Sequence, residues 1–261
     1  MATIASGLAA GGRPWTALGP ENAPAIVFVH GTRLTRHHWW PQLRRLSGRY
    51  RCVAIDLPGH GERAGEPFSM AAASDAVIAA IEAEVPSGRA VVVGLSLGGY
   101  VAIEAAERCP ERIAGLVLSG CSAEPVGPVG ALFRSLAWGL DHAPTRPLDA
   151  ANRGYFRMRY GHAVADPIIE GGFWATGGAE ALRVLARTRF VERLARLWTP
   201  VLVVNGALDP VFGPGGDPWA AACRRGRHVV LSRAMHLANL DRPAAFSELV
   251  AAFTADPAGT T

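Results

Sequence analysis

The chain has 261 residues, 49% of them hydrophobic, and a formal charge of +4 from 26 basic residues, every one an arginine, against 22 acidic ones. That length and apolar content fit one full core carrying an insertion better than two independent domains, and no run of about 18 apolar residues is present to cross a bilayer. The arginines are scattered among acids instead of clustering with aromatics, which argues against a nucleic-acid-binding surface.

In chain order, residues 1–7 lack the positive start and long apolar run of a secretory signal, so a cytoplasmic protein is expected. Residues 15–18 read as a short strand and 26–29 as a buried one, ending in His30-Gly31-Thr32. The loop after such a strand supplies one backbone amide to a developing oxyanion, and Thr32 N–H is assigned that place. His30 ends the strand and is expected to make structural hydrogen bonds. His37-His38 are adjacent on one segment and form no closed coordination set, so no metal is expected. A helix over 40–46 and a strand over 52–55 follow. Asp56 then heads the turn Pro58-Gly59-His60-Gly61, where it stabilises the loop and His60 shapes the turn. Cys52, Cys109, Cys121 and Cys223 have neither metal nor redox spacing; Cys52 and Cys121, in or beside apolar runs, are expected as reduced core residues.

After a helical pattern over 70–84, stopped by Pro86-Ser87-Gly88, the strand 90–93 runs into Gly94-Leu95-Ser96-Leu97-Gly98. A strand that meets a helix through G-x-S-x-G holds its serine on a sharp turn, and glycines flank it because side chains there would collide. The helix begins at Gly99, with its pattern over 100–108, and its N-terminal amides favour negative charge beside Ser96. Leu97 N–H, directly after the serine, is the second oxyanion donor.

A strand over 114–118 precedes an interval of roughly eighty residues, far longer than an ordinary crossover. Pro125, Gly127, Pro128 and Gly130 open it as a linker, and Trp198-Thr199-Pro200 closes it. A helical pattern over 179–197 places Leu182, Leu185, Leu194 and Leu197 on one face and leaves Arg183, Arg187, Arg193 and Arg196 solvated. The interval reads as a cap. Some of Phe133, Trp138, Tyr155, Phe156, Phe173 and Trp174 would line a largely apolar pocket beneath it, the others forming the cap's own core. Arg134, Arg146, Arg153, Arg157 and Arg159 of the cap are each expected on the solvated surface, contact with a substrate carboxylate being the alternative.

The strand 201–204 ends before Gly206-Ala207-Leu208-Asp209, and the strand 228–231 before His236; a helix over 243–254 closes the chain. Serine, aspartate and histidine therefore follow in that order. A serine hydroxyl is a poor nucleophile until a neutral imidazole takes its proton, and the imidazole needs a carboxylate to fix its tautomer. Asp209 is preferred over Asp217, which lies in a glycine-proline loop, and over Asp241, which lies beyond His236, because it directly follows a buried strand.

With His30-Gly31, the turn from Asp56 to Gly61, Gly94 to Gly99, Gly206 to Asp209 and His236 in this order, the chain resembles the α/β-hydrolase fold family, in particular its esterase, perhydrolase and carbon-carbon hydrolase branch. The resemblance covers nearly the whole length. It implies an α/β fold with a mostly parallel, doubly wound sheet, residues 1–261 as a single domain, and a cap insertion over about 122–198. Serine at 96 differs from the aspartate of the haloalkane dehalogenase and epoxide hydrolase branches, and His30-Gly31-Thr32-Arg33 lacks the Gly-Gly-Pro-Gly of proline iminopeptidases. The expected reaction is cleavage of a carboxylic ester, thioester or lactone through an acyl-enzyme by Ser96, His236 and Asp209, with Thr32 and Leu97 as the oxyanion hole and no cofactor. The expected partner is a small, largely apolar substrate, with neither nucleic acid nor membrane involved. Carbon-carbon bond hydrolysis, perhydrolysis, acyl transfer and cyanohydrin lysis use the same machinery in related proteins and stay open. So does a ligand-binding protein on a hydrolase scaffold.

Overall fold

A computed structural model describes residues 12–257 and 259; the reading of residues 1–7 lies outside them. Strands β1 (Trp15–Leu18), β2 (Ala25–Val29), β3 (Arg51–Ile55), β4 (Ala90–Leu95), β5 (Ile113–Ser119), β6 (Val201–Gly206) and β7 (Gly226–Leu231) form one sheet in the order β1-β3-β2-β4-β5-β6-β7. Only β1 pairs antiparallel. Strands β2, β4 and β6 are buried at every residue, which is why their sequences are unbroken apolar runs and not alternations: a parallel sheet is covered on both faces.

The helices are α1 (Trp40–Leu46), α2 (Met70–Glu84), α3 (Leu97–Arg108), α4 (Gly127–His142), α5 (Thr145–Tyr160), α6 (His162–Gly171), α7 (Ala175–Leu185), α8 (Val191–Leu194), α9 (Gly216–Ala222), α10 (Ala238–Asp241) and α11 (Pro243–Ala255). Alternate strand residues divide the core. Val27, Val92, Leu116 and Val201 pack with Ala73, Val77 and Val101 of α2 and α3, while Ile26, Phe28, Val91 and Val93 pack with Leu43, Phe246 and Val250 of α1 and α11. Ser69 caps α2, its hydroxyl accepting from Ala72 N at 3.1 Å.

The strands and helices expected outside the long interval are found to within a few residues, while α9, which takes in Asp217 instead of leaving it in a loop, and α10 were not expected. Inside the interval two expectations change. The stretch from Gly127 is not linker but the first turn of α4, with Pro128 at a position where a missing N–H costs no helical bond and Gly130 buried. The pattern over 179–197 is not one helix: α7 ends at Leu185 and α8 starts at Val191. Long-range partners outweigh the local pattern there. The Glu124 carboxylate accepts from Phe190 N (2.5 Å) and Val191 N (3.2 Å), and the buried Phe190 ring lies 4.6 Å from that of Tyr100. Arg193, expected in solvent, is instead largely covered, bonded to Glu104 and Glu107 of α3.

Candidate active site

Ser96 occupies the turn between β4 and α3 with φ 51° and ψ −117°, a backbone region that few residues other than glycine adopt. The helix begins at Leu97, two residues earlier than expected, because the turn is that tight. Gly94 and Gly98 permit it: a Cβ at Gly94 would overlap the backbone of Gly98 and Gly99, and one at Gly98 the carbonyls of Val29 and His30. Ser96 N donates to Ser119 O at 2.8 Å, tying the turn to the neighbouring strand end.

Asp209 follows β6 and His236 follows β7, so both loops open at the same end of the sheet as Ser96. His236 Nδ1–H donates to Asp209 Oδ2 at 2.9 Å, which leaves Nε2 as the acceptor. The other carboxylate oxygen accepts from Val211 N (3.0 Å) and Phe212 N (3.1 Å). Burial pushes the Asp209 pKa up, but the bond from His236 and the two amides outweigh it and hold the carboxyl below its ordinary value. Phe212 also stacks on the imidazole, ring centroids 5.1 Å apart, and Gly120, at φ +57°, lets the chain pass close to the ring's other atoms. Ser96 and His236 face one cavity without a direct hydrogen bond.

Of the rival carboxylates, Asp217 bonds His228 Nδ1 at 2.7 Å. Asp241 accepts from Met235 N at 2.7 Å and from Arg159, so it braces the His236 loop without touching the ring of His236. Asp56 receives Arg36 N (2.8 Å), the Arg36 guanidinium and Glu62 N (3.1 Å), holding together the two loops next to the site.

The pairing of Val29 with Gly94 sets the loop after β2 beside Ser96. Thr32 lines the same cavity, and neither Thr32 N–H nor Leu97 N–H has a protein acceptor among the described residues. The loop is fixed by neutral histidines. His30 Nε2 accepts from Leu57 N (3.0 Å) and its Nδ1–H donates to Gly31 O (2.9 Å); His60 Nε2 accepts from Arg33 N (3.2 Å) and its Nδ1–H donates to Pro58 O (2.9 Å). Burial holds both at about 3, far below the ordinary 6.5. His38, lowered to about 4 by burial, bonds Asn239, and His37 donates to Pro167 O. Among the described residues, no three His, Cys, Asp or Glu side chains gather as a metal site. The four cysteines are free, with Cys52, Cys121 and Cys223 buried.

The cavity that holds Ser96 and His236 measures about 440 Å³. Its wall is largely apolar and takes in one of the six aromatics named. Phe133 is the one aromatic of those named that reaches it; Leu136, Leu140, Leu148, Leu182 and Leu185 join it with Ser135, Gly139 and Ala143, and Tyr100 and Phe212 lie below. Phe156 and Phe173 are spent in a buried cluster with Ile168 and Ile169, Trp138 and Tyr155 are exposed, and Trp174 lines other clefts. None of the five cap arginines named lines this cavity; the arginine that does is Arg33, in the loop after β2. Its only sequence signal is adjacency to Thr32.

A model of the alpha/beta hydrolase family matches residues 26–249. A pimeloyl-[acyl-carrier protein] methyl ester esterase of Neisseria meningitidis is 29% identical over 254 residues, covering 88% of this chain and 93% of the relative. The 3-oxoadipate enol-lactonase 1 of Acinetobacter baylyi is 26% identical over 241 residues, with 90% of each chain covered. The solved structure of a thermophilic esterase from Thermogutta terrifontis superposes with a TM-score of 0.79 at 24% identity over 93% of each chain, a likeness of fold.

Proposed function

This chain belongs to the alpha/beta hydrolase family, and we propose that it cleaves a carboxylic ester, thioester or lactone of a small molecule through Ser96, His236 and Asp209. The observation that carries the reading is the joining of His236 Nδ1 to Asp209 at 2.9 Å while the imidazole and Ser96 face one cavity. His236 Nε2 takes the hydroxyl proton as Ser96 Oγ attacks the carbonyl carbon, and Asp209 stabilises the imidazolium that forms. Thr32 N–H and Leu97 N–H receive the oxyanion; the start of α3 adds its dipole. Collapse expels the alcohol, thiol or ring oxygen with the proton from His236, leaving an acyl-serine. Water, deprotonated by the same imidazole, then releases the acid. No cofactor enters any step.

Helices α4–α8, within the insertion over about 122–198, act as the cap in this reading. Their leucines supply most of the wall opposite Ser96, so the non-reacting part of the substrate is largely apolar. The esterase and the enol-lactonase among the relatives both open a carbonyl–oxygen bond, which supports ester or lactone chemistry over the other reactions of the fold.

The test is labelling with a fluorophosphonate followed by peptide mapping. A single adduct on Ser96, lost in His236→Ala, is expected. An adduct on Ser119 or Ser122, or none, would sink the nucleophile assignment.

A further inference from the structure

Arg33 stands out among the residues around the candidate nucleophile. It takes a left-handed backbone (φ 66°) directly after Thr32, and that backbone is gripped from both sides: Arg33 N donates to His60 Nε2, and Arg33 O accepts from Trp174 N at 2.9 Å. Its side chain is half-buried. The stem lies against Gly178 of α7, where a Cβ would crowd Arg33 Cγ, and Nη2 donates to Asn152 Oδ1 of α5 at 3.0 Å. The guanidinium is thus held across the cavity wall instead of extending into water. Among the described residues no acidic side chain lines this cavity, and Arg33 is its one permanent cation.

Its charge is only partly answered. Asp149 is near enough to favour the cation but forms no ion pair with it, and Asp149 borders a neighbouring cleft rather than the Ser96 cavity. Burial works against the charged form and lowers the pKa of the group. Beside it, outside the cavity lining, the Asn152 Nδ2 amide is buried with no acceptor, so unused donors meet next to a wall that is otherwise mostly apolar. A half-buried guanidinium at that spot gains most from a planar anion that accepts two of its N–H bonds.

We infer that Arg33 is the anchor for a carboxylate carried by the substrate: the preferred ligand is an ester or lactone whose aliphatic chain lies along the leucine wall and bears an anionic group. This deepens the hydrolase reading and rests on it for the word substrate.

The experiment measures binding to the full chain carrying Ser96→Ala, in which no bond is broken. Three ligands are compared: monomethyl adipate, with its carboxylate on the acyl side; 6-acetoxyhexanoate, with it on the alcohol side; and neutral dimethyl adipate. At least one anion should bind about tenfold or more tightly than the diester, as for a hydrogen bond to a charged group in a partly dry site. Which anion it is identifies the side that Arg33 holds. Adding Arg33→Gln or Arg33→Met should abolish the preference, and Arg33→Lys should keep part of it. Glutamine can still donate to Asn152 without the charge, and methionine keeps the apolar stem, so the failure of one variant to fold leaves the other. Equal affinities for all three ligands, or a preference that survives Arg33→Gln, would overturn the assignment. Labelling of Ser96 is scored separately: lost labelling with the anion preference intact removes the hydrolase reading and leaves the anchor, and the converse removes the anchor alone.

Discussion

Strand β4 buries all six of its residues, whereas α5, with sixteen, buries only Phe156. Ser96, directly after the first, and Leu148 of the second line the same cavity, yet the two regions obey different constraints. The turn at Ser96 is closed in by backbone, Gly94 against Gly98 and Gly99 and Gly98 against Val29 and His30, so one arrangement is sterically admitted. Helix α5 holds its place by little buried apolar surface and a few charged pairs, such as Arg159 with Asp241. Chemistry that needs atoms fixed to a fraction of an ångström belongs on the first kind of surface. Selection among substrates belongs on the second, where a side chain changes without disturbing the reacting groups.

The contrast is tested most severely at Asp209. Asp209→Asn should leave the fold intact and reduce kcat by about four powers of ten, because an amide stabilises the wrong tautomer of His236. Asp217→Asn, which touches only His228, should cost less than about tenfold. Asp241→Asn should stay in the same range, since an amide oxygen can still accept from Met235 N. Steady-state kinetics with circular dichroism decides, and near wild-type turnover by a folded Asp209→Asn would remove it from the triad.

Gly98→Ala comes next. A methyl there meets the carbonyls of Val29 and His30, which cannot retreat without breaking the sheet, and the expected loss is about 4 kcal/mol or more of unfolding free energy. Gly154→Ala in α5, with open space at its Cβ, should instead be neutral or stabilising by up to about 1 kcal/mol. Urea denaturation of the two variants compares the regions directly, and equal losses would contradict the contrast.

Acid should act on the platform. His30 and His60, held at about 3, and His38, at about 4, stay neutral in the folded chain, whereas each takes a proton in the unfolded chain below about 6.5. Their folded pKa values are depressed, so unfolding takes up protons. Stability is complete above pH 6.5 and declines as the pH falls toward 4, by at most about 1.4 kcal/mol per pH unit for each histidine. A urea midpoint that is the same at pH 5 and pH 7.5 would show that these rings are not buried neutral.

The smallest effect is expected at Trp138, which is 65% exposed and stacks only on His142. Trp138→Ala should change stability by less than about 0.5 kcal/mol and kcat/KM by less than twofold. Leu182→Ala, on the cavity wall, should raise KM for an apolar ester by several-fold while kcat moves less. If Trp138→Ala matched it, the outer face of the cap would have to be part of the substrate path.

The strands and the loops that follow them were legible in the amino-acid order. A buried parallel strand must be an apolar run, and the turns after β2 and β4 admit so few residue types that His30-Gly31 and Gly94 to Gly98 announce themselves locally. The positions of Ser96, Asp209 and His236 at strand ends follow from that pattern alone. Which residues of the long interval reach the cavity was decided only in three dimensions. Phe156 and Leu182 are equally apolar in sequence, yet one closes a core with Phe173 and the other faces Ser96. The break after Leu185 depends on Glu124, and the burial of Arg193 on two glutamates of α3; all three partners lie more than sixty positions away. Arg33 carries no local mark of its role, because its surroundings are built by Asn152, Trp174 and Gly178. Backbone sterics act between neighbours and can be read along the chain, whereas side-chain exposure on a thinly packed helix is set by whatever distant surface it meets.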